Sequence, residues 1–225
     1  GSVSVQENIG YFLLQSMMDY LGIDGDLRIM TQNRKFQYDF PGFLRAMIYA
    51  QVVNPSSKHK AFEEVIPTLY GVDSFSYDQI LDGVNFIGQD YKKFVELFNA
   101  KITKRYKRDT STAYFDCTNY YFEIEQEDGD KKYGKSKEHR PNPIIQMGMF
   151  MDGDGIPLAF SLFPGNTNEQ KSLKPLEQKV LQDFGCQKFI YCSDAGLGSE
   201  NIRTYNHMGE RAFIVTQSIK KLPAE

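Results

Sequence analysis

Residues 144–166 read IIQMGMFMDGDGIPLAFSLFPGN, and this stretch decides the fold. Two apolar runs, Ile144 to Met151 and Ile156 to Phe163, flank Asp152-Gly153-Asp154-Gly155, where glycine supplies the positive φ angles of a hairpin turn. Pro164-Gly165-Asn166 ends the hairpin. Downstream, Leu173, Leu176, Val180, Leu181 and Phe184 recur at helical spacing, and Gly185 closes that helix. Phe189 to Cys192 is a compact apolar strand ending at Ser193-Asp194. Ser199 then caps a helix through Ile202 and Tyr205, and Ala212 to Thr216 is one more strand. Upstream, Ala113-Tyr114-Phe115 is a short strand ending at Asp116, and Tyr120 to Ile124 is a second run rich in aromatic residues. Strands followed by alternating helices and strands imply an α/β fold, a mixed sheet with helices packed on it.

The residues before this region read as helices. Ile9, Phe12, Leu13, Met17 and Leu21 fall on one helical face, expected to be the core face, with Gly22 as the stop. Pro41 suits a first helical turn ahead of Phe43, Leu44, Met47 and Ile48, and Asn54-Pro55 ends that helix. Ser76 and Gln79 have the spacing of a capping box. Tyr91, Phe94, Val95, Phe98 and Ile102 form the clearest amphipathic stripe. It runs into Lys101, Lys104, Arg105, Lys107 and Arg108, which read as a solvated helix end, with a phosphate-contacting patch as the alternative. The expected organisation is a helical region over 1–108, binding DNA or bracing its neighbour, and an α/β core over 109–225.

The 225 residues are 41% hydrophobic and 24% charged, the composition of a folded globular chain. No apolar run approaches the ~20 residues that span a bilayer, and no signal peptide is evident, so a cytoplasmic protein without membrane association is expected. Cys117, Cys186 and Cys192 have no CxxC spacing and read as reduced thiols, and the scattered histidines make a structural zinc site improbable. The net charge of −3 leaves any nucleic-acid binding to local patches.

Asp116 and Asp194 each directly follow an apolar strand. In an open α/β sheet, ligands collect beyond the carboxyl ends of strands. If the two strands are parallel neighbours, the carboxylates lie side by side, and two carboxylates that close repel unless a proton or a cation sits between them. A hard divalent ion, Mg²⁺ or Mn²⁺, is the natural partner and suits phosphodiester chemistry. For either aspartate alone, a helix cap or a turn is the competing reading.

Several stretches together resemble one family. YFDCTNYYFE (Tyr114 to Glu123), GKSKEHRP (Gly134 to Pro141), GIPLAFSLFPGNTNE (Gly155 to Glu169) and CSDAGLGSENI (Cys192 to Ile202) are similar to the DDE transposases of bacterial insertion sequences. The likeness is to the branch typified by insertion sequence four, and VNPSSK (Val53 to Lys58) matches that branch's N-terminal region. The resemblance implies an RNase H-like core, with Asp116 and Asp194 as the first two catalytic, metal-binding carboxylates. It also implies a third carboxylate, a Glu well downstream of the second Asp, whose place neither Glu200 nor Glu225 matches. An RNase H-like core incomplete at its C-terminus is therefore expected, inactive by itself. The parent is expected to cleave DNA with Mg²⁺ or Mn²⁺ and transfer the 3′-hydroxyl strand, acting as a homodimer on transposon ends and target. A nuclease without strand transfer and a non-catalytic nucleic-acid-binding descendant are the alternatives.

The segment Asp130 to Pro141 carries Lys131, Lys132, Lys135, Lys137, His139 and Arg140 with few apolar residues. Because one family motif falls on it, Lys132, Lys135, Lys137, His139 and Arg140 are read as a strap across DNA phosphates near Asp116, against a solvated loop as the bland reading.

Overall fold

The computed structural model describes residues 7–167, 170–186, 188–193 and 211–215. The chain divides into two units, Gly1–Tyr106 and Lys107–Glu225.

In the first unit, helix α3 (Phe40–Val53) is the central element and buries Phe40, Phe43, Ala46, Tyr49 and Ala50. Asp39 starts it by accepting a hydrogen bond from the Gly42 N–H at 3.0 Å, and Pro41 occupies the first turn, where its missing N–H costs nothing. The rings of Phe36, Phe40, Phe43, Phe86 and Phe94 pack on one another around this helix. Full burial of each such side chain contributes roughly 1.5–3 kcal/mol. Helix α5 (Tyr77–Gln89) opens with the expected capping box, in which Ser76 and Gln79 exchange both hydrogen bonds. Helix α6 (Tyr91–Arg105) turns Phe94, Phe98 and Ile102 to the core as its stripe predicts. Helix α2 (Asp24–Thr31) and the helical turns over 58–68 carry no sequence pattern that announces them.

Helix α1 (Phe12–Leu21) presents a different face from the expected one. Tyr11, Met18 and Leu21 are buried with Leu14 packed beside them, whereas Leu13 is 83% exposed, Met17 56%, and Ile9 and Phe12 are also exposed. The helix is apolar around most of its circumference, so two faces share the 3–4 residue spacing, and periodicity alone does not choose between them. The basic run at the end of α6 is also largely committed. Lys101 pairs with Asp26 at 2.5 Å, and the Arg105 guanidinium stacks 5.0 Å from the Tyr20 ring centroid.

The second unit is built on a five-stranded sheet ordered β3-β2-β1-β4-β5 among the described residues, with β1 Thr112–Tyr121, β2 Ile144–Met151, β3 Pro157–Pro164, β4 Lys188–Ser193 and β5 Arg211–Val215. β2 runs antiparallel to β1 and β3, while β1–β4 and β4–β5 pair in parallel. This is a mixed sheet with helices, the α/β arrangement that the sequence pattern implies. Helix α7 (Gln170–Phe184) follows β3 and covers one face. Leu173, Leu176 and Val180 meet Ala113, Phe115, Cys117, Phe150 and Phe189 in one buried cluster. Leu181 is half exposed rather than inward, one step around the helix from Val180. Gly185 ends the helix with a φ of 66°. Cys117 and Cys186 are buried, reduced thiols, and burial pushes the Cys186 thiol up. The expected helix from Ser199 lies outside the described residues.

β1 is longer than the sequence suggests. The two runs expected on either side of Asp116-Cys117-Thr118-Asn119 form one ten-residue strand, which ends at Tyr121. Asp116 therefore lies within the strand, opposite Met149 of β2, rather than just after it. The polar residues do not break the strand because side chains alternate between faces: Ala113, Phe115 and Cys117 point under α7, and Asp116 and Thr118 point to the other face.

A second correction concerns Arg108. Its side chain is 2% exposed and pairs with Asp152, which is 0% exposed, at 2.7 Å. Arg108 Nη2 also donates to the carbonyls of Ile156 and Pro157 at 3.0 Å each, and the guanidinium faces the Phe184 ring. Asp152 Oδ1 accepts the N–H groups of Asp154 and Ile156. Gly155 has the positive φ, 80°, that the turn required. The hairpin tip is thus held on a buried charge from the residues preceding β1, which no local pattern in the basic run reveals.

Candidate functional site

Asp116 is on the sheet face opposite α7, with its side chain 54% exposed. Its Oδ1 accepts the N–H of Cys117 at 2.8 Å, and among the described residues Oδ2 has no protein partner. An exposed carboxylate with one oxygen held and the other available is a good donor for a hard cation. The neighbouring strand is the one that matters for Asp194. Thr112 pairs with Lys188 and Phe115 with Tyr191 in a parallel register, so β1 and β4 are the adjacent parallel strands that a shared site requires. The chain leaves β4 at Ser193, and Asp194 is the next residue. Asp194 itself lies outside the described residues. Among those described, no group of three His, Cys, Asp or Glu side chains converges as a metal site.

The basic segment does not hang free. Asp128 and Lys131 close a tight turn through two backbone hydrogen bonds, and Lys132 exchanges backbone hydrogen bonds with Ile144 at the start of β2. Gly134 lies against the carbonyl of Gly165: a Cβ at Gly134 would come within 2.0 Å of that oxygen. Two stretches of the family likeness, GKSKEHRP and FPGNT, therefore meet backbone to backbone. Gln146 ties the second in place by donating to the carbonyls of Gly165 and Thr167. Ser136 is buried, and its Oγ and carbonyl accept the N–H groups of Glu138 and His139, with His139 at a φ of 55°.

The five basic residues assigned to phosphate contact differ in what they touch. Lys132 pairs with Glu127 at 3.2 Å; the Tyr133 N–H first, then this ammonium, hold the Glu127 carboxyl below its usual range. Arg140 lies 3.8 Å from Glu138 and stacks on Tyr121, 4.8 Å from the ring centroid. Lys135 and His139 are exposed. Lys137 folds back on β1: its N–H donates to Asn119 Oδ1, its ammonium donates to the Cys117 carbonyl, and Nζ lies 4.0 Å from Asp116 Oδ1. The proximity of this segment to Asp116 is thus carried by one residue. Asn119 is the participant sequence reasoning missed; it sits two residues beyond Cys117 on β1, inside the YFDCTNYYFE stretch, where the resemblance assigns a role only to Asp116.

No protein-family model matches the chain, and no curated protein matches it. Solved structures do. A piggyBac transposase synaptic complex with hairpin DNA matches 82% of this chain and 42% of its own, with 11% identity and a TM-score of 0.43. A Mos1 transposase paired-end complex with the left transposon end covers 79% of this chain and 58% of its own, at 12% identity and a TM-score of 0.31. A Mos1 mariner paired-end complex with Mn covers 88% and 76%, at 11% identity and 0.32. The chain spans about two fifths and three fifths of the length of the first two. No helix among the described residues is long and apolar enough to cross a membrane.

Proposed function

We propose that this chain is the catalytic part of a DDE-type DNA transposase of the insertion-sequence-four branch, with residues 109–225 as its RNase H-like core. Asp116 and Asp194 are its first two catalytic carboxylates and hold Mg²⁺ or Mn²⁺. The observation that supports this reading best is the parallel pairing of β1 with β4, the arrangement on which a joint site for Asp116 and the residue following Ser193 depends. Divalent cations held there would supply Lewis-acid stabilisation of the attacking and leaving oxygens in a displacement at phosphorus. Asp116 contributes a carboxylate that its own strand fixes in direction, since one oxygen is held by the next residue's N–H. Lys132, Lys135, Lys137, His139 and Arg140 position the DNA backbone, and the protein acts in the cytoplasm as a homodimer on transposon ends and target.

The test is to incubate the protein in its full natural length with DNA carrying the element's ends and Mg²⁺, and to resolve the products. Nicked ends joined to target through the 3′-hydroxyl are expected. Nicking without joining would instead identify a nuclease, and DNA binding without either would identify a binding module.

Phosphate contact by the basic segment has a separate readout. Neutralising Lys132, Lys135 and Arg140 together to Gln should flatten the log–log dependence of DNA affinity on salt by about 0.9 for each phosphate no longer neutralised. Measured by fluorescence anisotropy across a salt series, an unchanged slope would make the segment a solvated loop.

A further inference from the structure

We propose that Lys137 is a built-in competitor for the charge of Asp116, an intramolecular counter-ion that weakens the hold of this carboxylate on a divalent metal. The inference rests on the reading that Asp116 binds such a metal. Its basis is that the ammonium is held by a main-chain carbonyl oxygen within ion-pair distance of the Asp116 carboxylate. It donates to the main-chain carbonyl of Cys117 and sits 4.0 Å from Asp116 Oδ1, with its side chain 36% exposed.

The placement is built into the fold from both ends of the segment. Gly134 is held against Gly165, Ser136 is buried within its own turn, and the Lys137 N–H is fixed on Asn119 of β1. From that anchor the side chain runs back along the strand to the residues at Asp116 and Cys117. Lys132 and Arg140, by contrast, are opposed by Glu127 and Glu138 and do not approach Asp116. Like charges ~4 Å apart repel by several times thermal energy at a protein surface, so the ammonium lowers the affinity of the Asp116 carboxylate for a divalent ion. A metal on the open oxygen of Asp116 therefore binds less tightly while Lys137 stays, and an ammonium that swings away is a cation beside the site where the proposed DNA phosphate is processed.

Mn²⁺ alone, titrated calorimetrically into the DNA-free 225-residue chain, tests this. Lys137→Gln keeps a hydrogen-bond donor for the Cys117 carbonyl but removes the charge. It should bind Mn²⁺ about tenfold more tightly than the unaltered protein, as relief of one close like-charge contact predicts. Lys137→Met should do the same, and Lys137→Arg should leave the affinity low, because the charge rather than the shape of the side chain is at issue. Circular dichroism confirms the fold of each variant. If Asp116→Asn abolishes the binding while Lys137→Gln and Lys137→Met leave it unchanged, Lys137 is a structural tie and the competition is refuted. If Asp116→Asn leaves Mn²⁺ binding intact, the metal reading of Asp116 itself falls, and the competition with it.

Discussion

Asp152→Ala is expected to destabilise the unit that begins at Lys107 by roughly 3–5 kcal/mol, the cost of leaving one member of a buried ion pair without its partner. The Arg108 side chain, 2% exposed, has no path to water when the carboxylate is removed. The carbonyls of Ile156 and Pro157, to which it also donates, are neutral and do not replace the missing charge. The N–H groups of Asp154 and Ile156 also lose their acceptor, so the turn that sets the β2–β3 register loosens at the same time. Asp152→Asn should fall between, since its amide oxygen can still accept from the turn while the charge is gone. Arg108→Ala should be as damaging as Asp152→Ala, and the double variant should cost clearly less than the sum. Urea unfolding followed by circular dichroism gives these values, provided the two units' transitions are separated. A loss below about 1 kcal/mol for both single variants would place the pair among ordinary surface ion pairs.

Asp116→Asn should behave in the opposite way. In the protein's full natural length it is expected to lower strand nicking and joining on the order of a thousandfold, the scale seen when one electrostatic stabiliser of a transition state is removed, while leaving the unfolding midpoint where it was. Asn is nearly isosteric, retains an oxygen to accept the Cys117 N–H, and replaces a side chain that is more than half exposed. Exposed substitutions of that kind stay within about 0.5 kcal/mol. Only the charge that would hold the metal is removed. A variant that still joins DNA at a tenth of the normal rate would remove Asp116 from the catalytic set.

The parts of this architecture that are legible in the sequence are those with a local cause. Ser76 and Gln79, Pro41, Gly155 and the spacing of Leu173, Leu176 and Val180 each act within a few residues of their own position, and each does what its chemistry predicts. The parts that are not legible depend on what arrives from elsewhere in the chain. Arg108 reads as one more cation at the end of a basic run until Asp152 comes to meet it. The outward turn of Leu13 and Met17 follows from which apolar side of α1 the rest of its unit covers, which its own periodicity does not encode. Asp116 stands out as a residue but reads as a strand end, because a polar tetrapeptide looks like a break unless the facing strand is known. The reach of Lys137 to Asp116 is of the same long-range kind: its anchor, Asn119, is recognisable only once β1 is seen to run unbroken to Tyr121.

The pairing of Thr112 with Lys188 has a bearing on the order in which the unit assembles. β1, β2 and β3 follow one another along the chain as an antiparallel meander, with the β2–β3 tip closed by a tight turn. β4 reaches β1 only after β3 and α7 have been traversed. Contacts between distant segments carry a larger loop-closure entropy and form late in folding. The β4 side of β1 is therefore completed after the meander is in place. On a ribosome it is completed only once the residues of β4 have emerged, so a nascent chain has a formed hairpin before it has a β1–β4 edge.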